Sequence, residues 1–321
     1  MIGGTGRSGS NILKSILASS PETVALPFES RFLVDPDGLL PSYRLLNQPL
    51  TPFQAHVVLT RLEKLLRRVQ AKSPMDLIAS NLEKVLKAAN LGPINLRSYK
   101  EWQLETVSPG FSNGVNVLMT SLEAGRYGGI WPGRPGWKRY NKNRIAYPPG
   151  SIQTKDAVSK FLLNFVSAVC SKSGASAYVA DETYSLFFAP ELHQLAPNTT
   201  FIHIIRDPRD VVASFRKQRW APAELDAAIA FYLASMRSIN AALATLPDHS
   251  VVTLRLEDLL AEPDTEIQNL CNQLDLAFSP AMLDHDFSRG HQGRWKDEVA
   301  PRDHDRLNSK LSQEIHRFGY Q

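Results

Sequence analysis

Apolar residues recur along the chain with two periods, and the two periods alternate. Ile12 and Ile16, and Leu13 and Leu17, are i,i+4 pairs on one face of a helix. Thr23-Val24-Ala25-Leu26 is a short β-like run that stops at Pro27. Gln54–Arg68 and Met75–Ala89 read as amphipathic helices. The first carries Val57, Leu59, Leu62, Leu65, Leu66 and Val69; the second carries Leu77, Ile78, Leu82, Val85 and Leu86. Lys155–Cys170 reads as a helix with Val158, Phe161, Leu162, Phe165, Val166 and Val169 on its apolar side. Ala177–Ala180 is a strand running into Asp181-Glu182-Thr183, and Phe201, His203 and Ile205 lie in a buried-looking strand. Leu225–Leu246 is a long helix, Val251–Leu254 a strand and Thr265–Leu274 a helix. Strands alternating with helices predict an α/β fold of three layers, a central parallel sheet flanked by helices. The alternation breaks between about Asp35 and Gly150. Residues 36–150 therefore read as a helical and loop cap inserted into a single domain of residues 1–321.

Within that insertion, Gly125–Gly150 is rich in glycine, proline and aromatics and shows no clear secondary structure. It carries Arg126, Arg134, Lys138, Arg139, Lys142 and Arg144 with no acidic residue among them. Connections of this length are functional or disordered, and Tyr127, Trp131, Trp137, Tyr140 and Tyr147 argue against simple disorder. A lid or acceptor-binding loop and a solvated basic surface loop both remain open. The net charge of +4 is mild: it suits an anionic ligand and falls short of a dedicated nucleic-acid binder. Cys170 and Cys271 lie far apart in apolar helical contexts, without metal-ligand spacing, and read as two buried thiols. No apolar run approaches the roughly 18–20 residues of a membrane span, and no signal peptide is visible. The expectation is a soluble, cytoplasmic protein with no membrane partner.

The chemistry is concentrated at the start. Gly3-Gly4-Thr5-Gly6-Arg7-Ser8-Gly9-Ser10-Asn11 is a glycine-rich turn that opens directly into the first helix. Glycines let a backbone approach a ligand closely, and the free N–H groups of a first helical turn point at an anion. Nucleotide triphosphate loops read G-x-x-x-x-G-K-[ST]. Aligning Gly4 and Gly9 with those glycines puts Ser10 where Lys belongs and Asn11 where the magnesium-binding hydroxyl belongs. The cation, Arg7, lies inside the loop and offers a planar guanidinium. The pattern favours metal-free transfer over a kinase. Only Met1 and Ile2 precede the loop, so either its leading strand is very short or residues ahead of it are missing.

The run G-T-G-R-S-G-S-N closely resembles the 5′-phosphosulfate loop of sulfotransferases that use 3′-phosphoadenosine 5′-phosphosulfate (PAPS). The resemblance is to the branch with Arg in the loop, which includes bacterial sulfotransferases and protein-tyrosine sulfotransferases. A second stretch agrees with it. Thr200–Ile205 runs as a strand into Arg206, Asp207 can cap, Pro208 suits a first helical turn, and Ser214 follows on the helix. This resembles the family's 3′-phosphate motif, which implies that Arg206 and Ser214 hold the 3′-phosphate; an ordinary salt bridge from Arg206 to Asp207 or Asp210 is the plain alternative, and Arg209 is expected to pair locally. Val251–Pro263 resembles the family's V-R-Y-E-D-L stretch, with Leu256 in place of Tyr. Gly290-His291-Gln292-Gly293-Arg294-Trp295-Lys296 resembles the glycine-rich C-terminal loop that closes over the nucleotide, with Trp295 packing on adenine or on the fold.

The resemblance covers residues 1–35 and roughly 175–320. It implies a P-loop-type fold, PAPS as co-substrate, no metal, and cofactor contacts from Gly4, Thr5, Gly6, Arg7, Ser8, Gly9, Ser10, Asn11, Arg206, Ser214, Arg294, Trp295 and Lys296. Arg7 is the catalytic cation. Glu29, in a segment similar to the E-x-R of tyrosine sulfotransferases, is the expected base, against a surface pairing with Arg31. Many relatives carry D-K-x-P where this chain has Asp181-Glu182-Thr183-Tyr184. Glu182 reverses that charge, so another cation such as Arg294 or Lys296 substitutes, or Glu182 serves the acceptor, or activity is weak. The expected acceptor is a hydroxyl on a small molecule or carbohydrate (a sugar, phenol or natural product), with no nucleic-acid partner. The rivals are a catalytically weak PAPS-binding module and, further off, a P-loop nucleotide kinase.

Overall fold

The structure, a computed structural model, describes residues 1–89, 99, 102–128, 144–287 and 292–321, without the side chains of Leu77 and Arg144. It has two compact units, one of Met1–Glu29 with Ala175–Gln321, the other Ser30–Gly174. The first unit opens with β1 (Ile2–Gly3), α1 (Ser10–Leu17) and β2 (Thr23–Ala25). The second holds α2 (Leu39–Leu46), α3 (Pro52–Gln70), α4 (Pro74–Ala88), α5 (Leu104–Val107), α6 (Phe111–Ser121), β3 (Gly125–Gly128), β4 (Arg144–Tyr147) and α7 (Ser151–Ser173). The first resumes with β5 (Ala177–Val179), α8 (Ala189–Leu195), β6 (Phe201–Ile205), α9 (Pro208–Phe215), α10 (Leu225–Leu243), β7 (Val251–Arg255), α11 (Leu256–Ala261), α12 (Pro263–Leu274), α13 (Trp295–Glu298) and α14 (His304–Arg317).

The strands of the first unit are parallel. β1 pairs with β6, Ile2 opposite Ile202, and β6 pairs with β7. β2 pairs with β5. Ile2 also bridges to Asp181, just past β5, and donates its N–H to the Ala180 carbonyl at 2.7 Å. One residue thus joins the two ladders in the order β2-β5-β1-β6-β7. Side chains alternate across this sheet, as a pleat requires. Ile2, Ile202, Ile204, Val252 and Leu254 pack with Leu13 and Ile16 of α1, Leu256 and Leu259 of α11, and Ile267 and Leu270 of α12. His203, between two of them, turns to the Phe318 ring, which packs on a second cluster from α9, α10 and α14. Burial pushes the His203 imidazole down to about 4, so it stays neutral. Helices on both faces of a parallel sheet form the expected α/β fold.

The second unit is built on aromatic packing. Phe32 is fully buried, with its ring 4.9 Å from Phe165, 5.6 Å from Phe111 and 6.0 Å from Phe161, all edge-on. Thr51 and Gln54 form a capping box at the start of α3, with Pro52 in its first turn. Three expectations need correction. The ends of the Gly125–Gly150 stretch are not structureless, because β3 and β4 pair antiparallel; Trp131, Arg134, Trp137, Lys138, Arg139, Tyr140 and Lys142 lie outside the described residues. The apolar stripe of α4 is exposed among the described residues at Ile78, Leu82 and Val85, because this helix is held instead by Ala79 and by the ion pair from Arg68 to buried Asp76. Cys170 is only half-buried, while Cys271 is buried, and both thiols are free.

Truncating the ring that every other aromatic of this cluster touches leaves a cavity. Phe32→Ala is expected to cost about 3–5 kcal/mol, read as a lower denaturant midpoint at unchanged slope in urea unfolding.

Candidate functional site

Strand order changes direction at β1, which has β5 on one side and β6 on the other. Open parallel sheets bind ligands at the carboxyl ends of strands where the order reverses. The glycine-rich loop leaves β1 at that point. A Cβ on Gly4 would stand 2.7 Å from Ser8 Oγ and 2.8 Å from the Ile204 carbonyl, so only glycine lets the loop lie this close to β6. Gly9 caps α1 in the left-handed region at φ 96°, and a Cβ there would stand 2.6 Å from Leu256 Cδ1. Leu256, which replaces the family's Tyr, fills the space beneath the loop. Thr5 and Ser8 are buried and Arg7 is exposed. Among the described residues, Ser8 Oγ has no hydrogen-bond partner, and the amides of Gly6 through Asn11 donate to no backbone carbonyl. A buried hydroxyl and a row of free amides with a cation beside them form a cradle for an oxyanion.

The second motif folds against the first. β6 ends at Ile205 and Arg206 follows it, Asp207 caps α9 by accepting from the Arg209 N–H at 2.9 Å, and Ser214 lies in the last turn of that helix. Arg7 Nε donates to Ser214 Oγ at 3.0 Å, across 207 residues of sequence. Arg206 donates from Nη1 to the Arg7 carbonyl at 3.2 Å and from Nη2 to Asp210 Oδ2 at 3.1 Å. The salt bridge and the place beside the loop therefore both hold for Arg206. Arg209 pairs locally with Asp207 at 2.7 Å.

The C-terminal turn reaches the same place through its backbone. Gly293 N–H and Trp295 N–H each donate to the Asp210 carboxylate at 2.9 Å. The Trp295 indole packs on the fold: it is 7% exposed, with the Arg209 guanidinium 4.6 Å over its ring and His304 edge-on at 4.9 Å. Arg294 Nε donates to Glu298 Oε1 at 2.6 Å, and Lys217 pairs with the same oxygen at 2.8 Å. Lys296 is exposed, its Nζ 5.9 Å from the Trp295 ring. Gly290 and His291 lie outside the described residues.

Glu29, half-buried after β2, accepts from Thr183 Oγ1 at 2.6 Å. A Cβ on Gly6 would be 3.4 Å from Thr183 and 3.4 Å from the Trp220 indole, so the loop, Thr183 and Glu29 form one continuous wall with Trp220 at its rim, 48% exposed. Burial raises the Asp181 carboxyl above the usual carboxylate range; nearby Glu29 adds to this, and the Ser10 hydroxyl and the Lys14 charge oppose it. Lys14 Nζ stands 3.9 Å from Asp181 Oδ2, and Glu182 is buried. The cation placed against this acidic segment is Lys14, which was not among the substitutes weighed from sequence. Sequence reading passed over Lys14 and gave Asp210 only as a plain salt-bridge partner of Arg206, although spacing signals both. Lys14 is one helical turn after Ser10, and Asp210 is one turn from Arg206 and one from Ser214.

The family model described as "Sulfotransferase family" matches residues 1–280. A curated Caenorhabditis briggsae protein named "Putative protein-tyrosine sulfotransferase" is 27% identical over 137 residues, 40% of this chain and 47% of that protein, so the match spans about half the length of the curated relative. Among solved structures, the sulfotransferase domain from the curacin biosynthetic pathway is 15% identical, with a TM-score of 0.48 over 100% of this chain and 96% of that one. A sulfotransferase from Mycobacterium avium is 13% identical, with a TM-score of 0.49 over 100% of this chain and 77% of its own.

The loop's fit to its surroundings is testable through Gly9. Gly9→Ala combines a left-handed φ with a clash on Leu256 and is expected to cost about 2–4 kcal/mol. Gly110→Ala, at φ 85° with open space around it, isolates the backbone part at about 1 kcal/mol. Urea unfolding of both variants measures the difference.

Proposed function

Since the chain belongs to the sulfotransferase family, we propose that it moves a sulfuryl group from PAPS to an acceptor hydroxyl, without a metal. The observation that carries the donor is the meeting of the two phosphate-type motifs, the Arg7–Ser214 hydrogen bond at 3.0 Å with Arg206 on the Arg7 carbonyl. The residues fit a nucleotide with two separate anionic groups. Ser8 Oγ is a buried hydroxyl without a partner among the described residues, Gly4 leaves a cradle that a Cβ would fill, and the donors are amides, hydroxyls and guanidinium groups. Among the described residues Arg7 forms no ion pair; its Nε partner is a neutral hydroxyl. Its charge is therefore not cancelled before an anion arrives.

In this reading Gly4–Asn11 would hold the 5′-phosphosulfate, and Arg206 and Ser214 the 3′-phosphate. When bound, PAPS supplies the sulfuryl group, whose bond to phosphate oxygen breaks as the acceptor oxygen bonds to sulfur. Glu29 takes the acceptor proton. Thr183 orients that carboxylate by donating to one of its oxygens. Arg7 faces the charge that develops on the leaving phosphate, where a fixed cation needs no reorganisation. Lys14 offsets Asp181 at the segment where many relatives carry Lys, so the acidic pair Asp181-Glu182 does not face the loop without a cation. Among acceptor hydroxyls, a phenol or sugar suits the exposed Trp220 face at the rim, and the name of the curated relative points the same way, to a phenol.

Two measurements test this. Calorimetric titration is expected to show tight binding of adenosine 3′,5′-bisphosphate without magnesium and little binding of ATP with it; preference for magnesium-ATP overturns the reading in favour of a kinase. Glu29→Gln is expected to lower kcat by about 10²–10⁴-fold while leaving bisphosphate affinity unchanged, as measured by sulfate transfer to a phenolic acceptor alongside the same titration.

A further inference from the structure

Asp210 is a fully enclosed charge beside the proposed donor site. Its side chain has no solvent exposure, and each of its hydrogen-bond partners among the described residues is a donor. Oδ2 accepts from Arg206 Nη2 at 3.1 Å and from Gly293 N–H at 2.9 Å, and Oδ1 accepts from Trp295 N–H at 2.9 Å. Three donors around one buried group call for an acceptor-only side chain, which an ionised Asp is and an Asn is not. A carboxylate next to an anion site is costly unless it does something there, since it cancels part of the attraction that Arg206 offers. The geometry shows what it does. Asp210 and Ser214 lie one turn apart on α9, and Arg206, between β6 and the cap of that helix, reaches Asp210 four residues on, so the carboxylate sits between the guanidinium and the hydroxyl. The two amide bonds draw the 293–295 turn onto that face. Trp295 is then seated under Arg209.

We propose that Asp210 is a positioning residue for 3′-phosphate recognition, a buried clamp that aims Arg206 and docks the C-terminal turn beside it before any nucleotide binds. This rests on the PAPS reading above and assigns a role that the sequence motif left as a plain salt bridge. The turn is therefore already docked by protein groups and does not depend on ligand to seat it.

The test compares Asp210→Asn, which keeps the shape of the side chain and replaces one acceptor by a donor, with the unaltered protein. Titrations use adenosine 3′,5′-bisphosphate and adenosine 5′-phosphate, which differ only in the 3′-phosphate. The variant is expected to lose on the order of ten- to a hundredfold in affinity for the bisphosphate and to keep its affinity for the monophosphate. Hydrogen exchange is expected to speed up at the Gly293 and Trp295 amides and to stay unchanged in β6 and β7. Equal loss for both nucleotides, unchanged bisphosphate affinity, or exchange that rises throughout the unit overturns the clamp. If the unaltered protein shows no preference for the bisphosphate, the PAPS reading itself fails and the 3′-phosphate role with it. The exchange result still separates the two failures, because it reports the docking of the turn without any nucleotide.

Discussion

The first unit depends on a strand of two residues. Ile2 is fully buried, gives its N–H to β5's side of the sheet and lies in register with Ile202 of β6. Without that residue the β2-β5 ladder and the β1-β6-β7 ladder share no strand. The same short strand decides where the loop starts. Chain order reverses across β1, so the crevice at its carboxyl end is not covered by a crossover connection, and a backbone leaving there has its amides free for a ligand. The short strand thus serves two ends, continuity of the sheet and access to the site.

Around that crevice, buried charge is arranged in pairs. Arg206 is matched by Asp210, Arg209 by Asp207, and Lys14 by Asp181. An uncompensated ion in the interior is penalised by several kcal/mol, and the two arginine pairs answer that cost locally, whereas at Asp181 burial outweighs the Lys14 charge and raises the carboxyl. Arg7 departs from this scheme: it is exposed, and its Nε rests on the Ser214 hydroxyl. A loop built from amides and hydroxyls, with one cation that no carboxylate matches among the described residues, has a positive field that is fixed before a ligand arrives. Such preorganisation is what stabilises charge developing in a transfer reaction.

Much of the framework was legible from local pattern. The i,i+4 pairs of α1, the alternation of Phe201–Ile205 and the Asp207-Pro208 start of α9 all form as their spacing implies, because each is set by neighbours within one turn or one pleat. Local pattern was weaker where burial depends on distant partners. The stripe on α4 has helical period but is exposed at Ile78, Leu82 and Val85, since a period marks a face without naming what covers it. The glycine-rich run after Gly125 read as a loop, yet Gly125–Gly128 and Arg144–Tyr147 pair, since a ladder between short segments leaves little signal in either one.

Contiguous residues were enough to read the family, the α/β order of elements and two motifs that resemble phosphate sites, because glycines, a cap and a cation at fixed offsets are local properties of the chain. Tertiary structure decided what those residues touch. It brought Arg7 to Ser214 across 207 positions, turned the Trp295 indole to Arg209 and His304, and set Lys14 against Asp181. It also made Asp210, which reads in sequence as one more acid in a charged helix, the acceptor of a guanidinium and two amides. The physical reason is that hydrogen bonds and ion pairs are short-ranged in space and blind to separation along the chain. Their partners are chosen only once the sheet has ordered its strands.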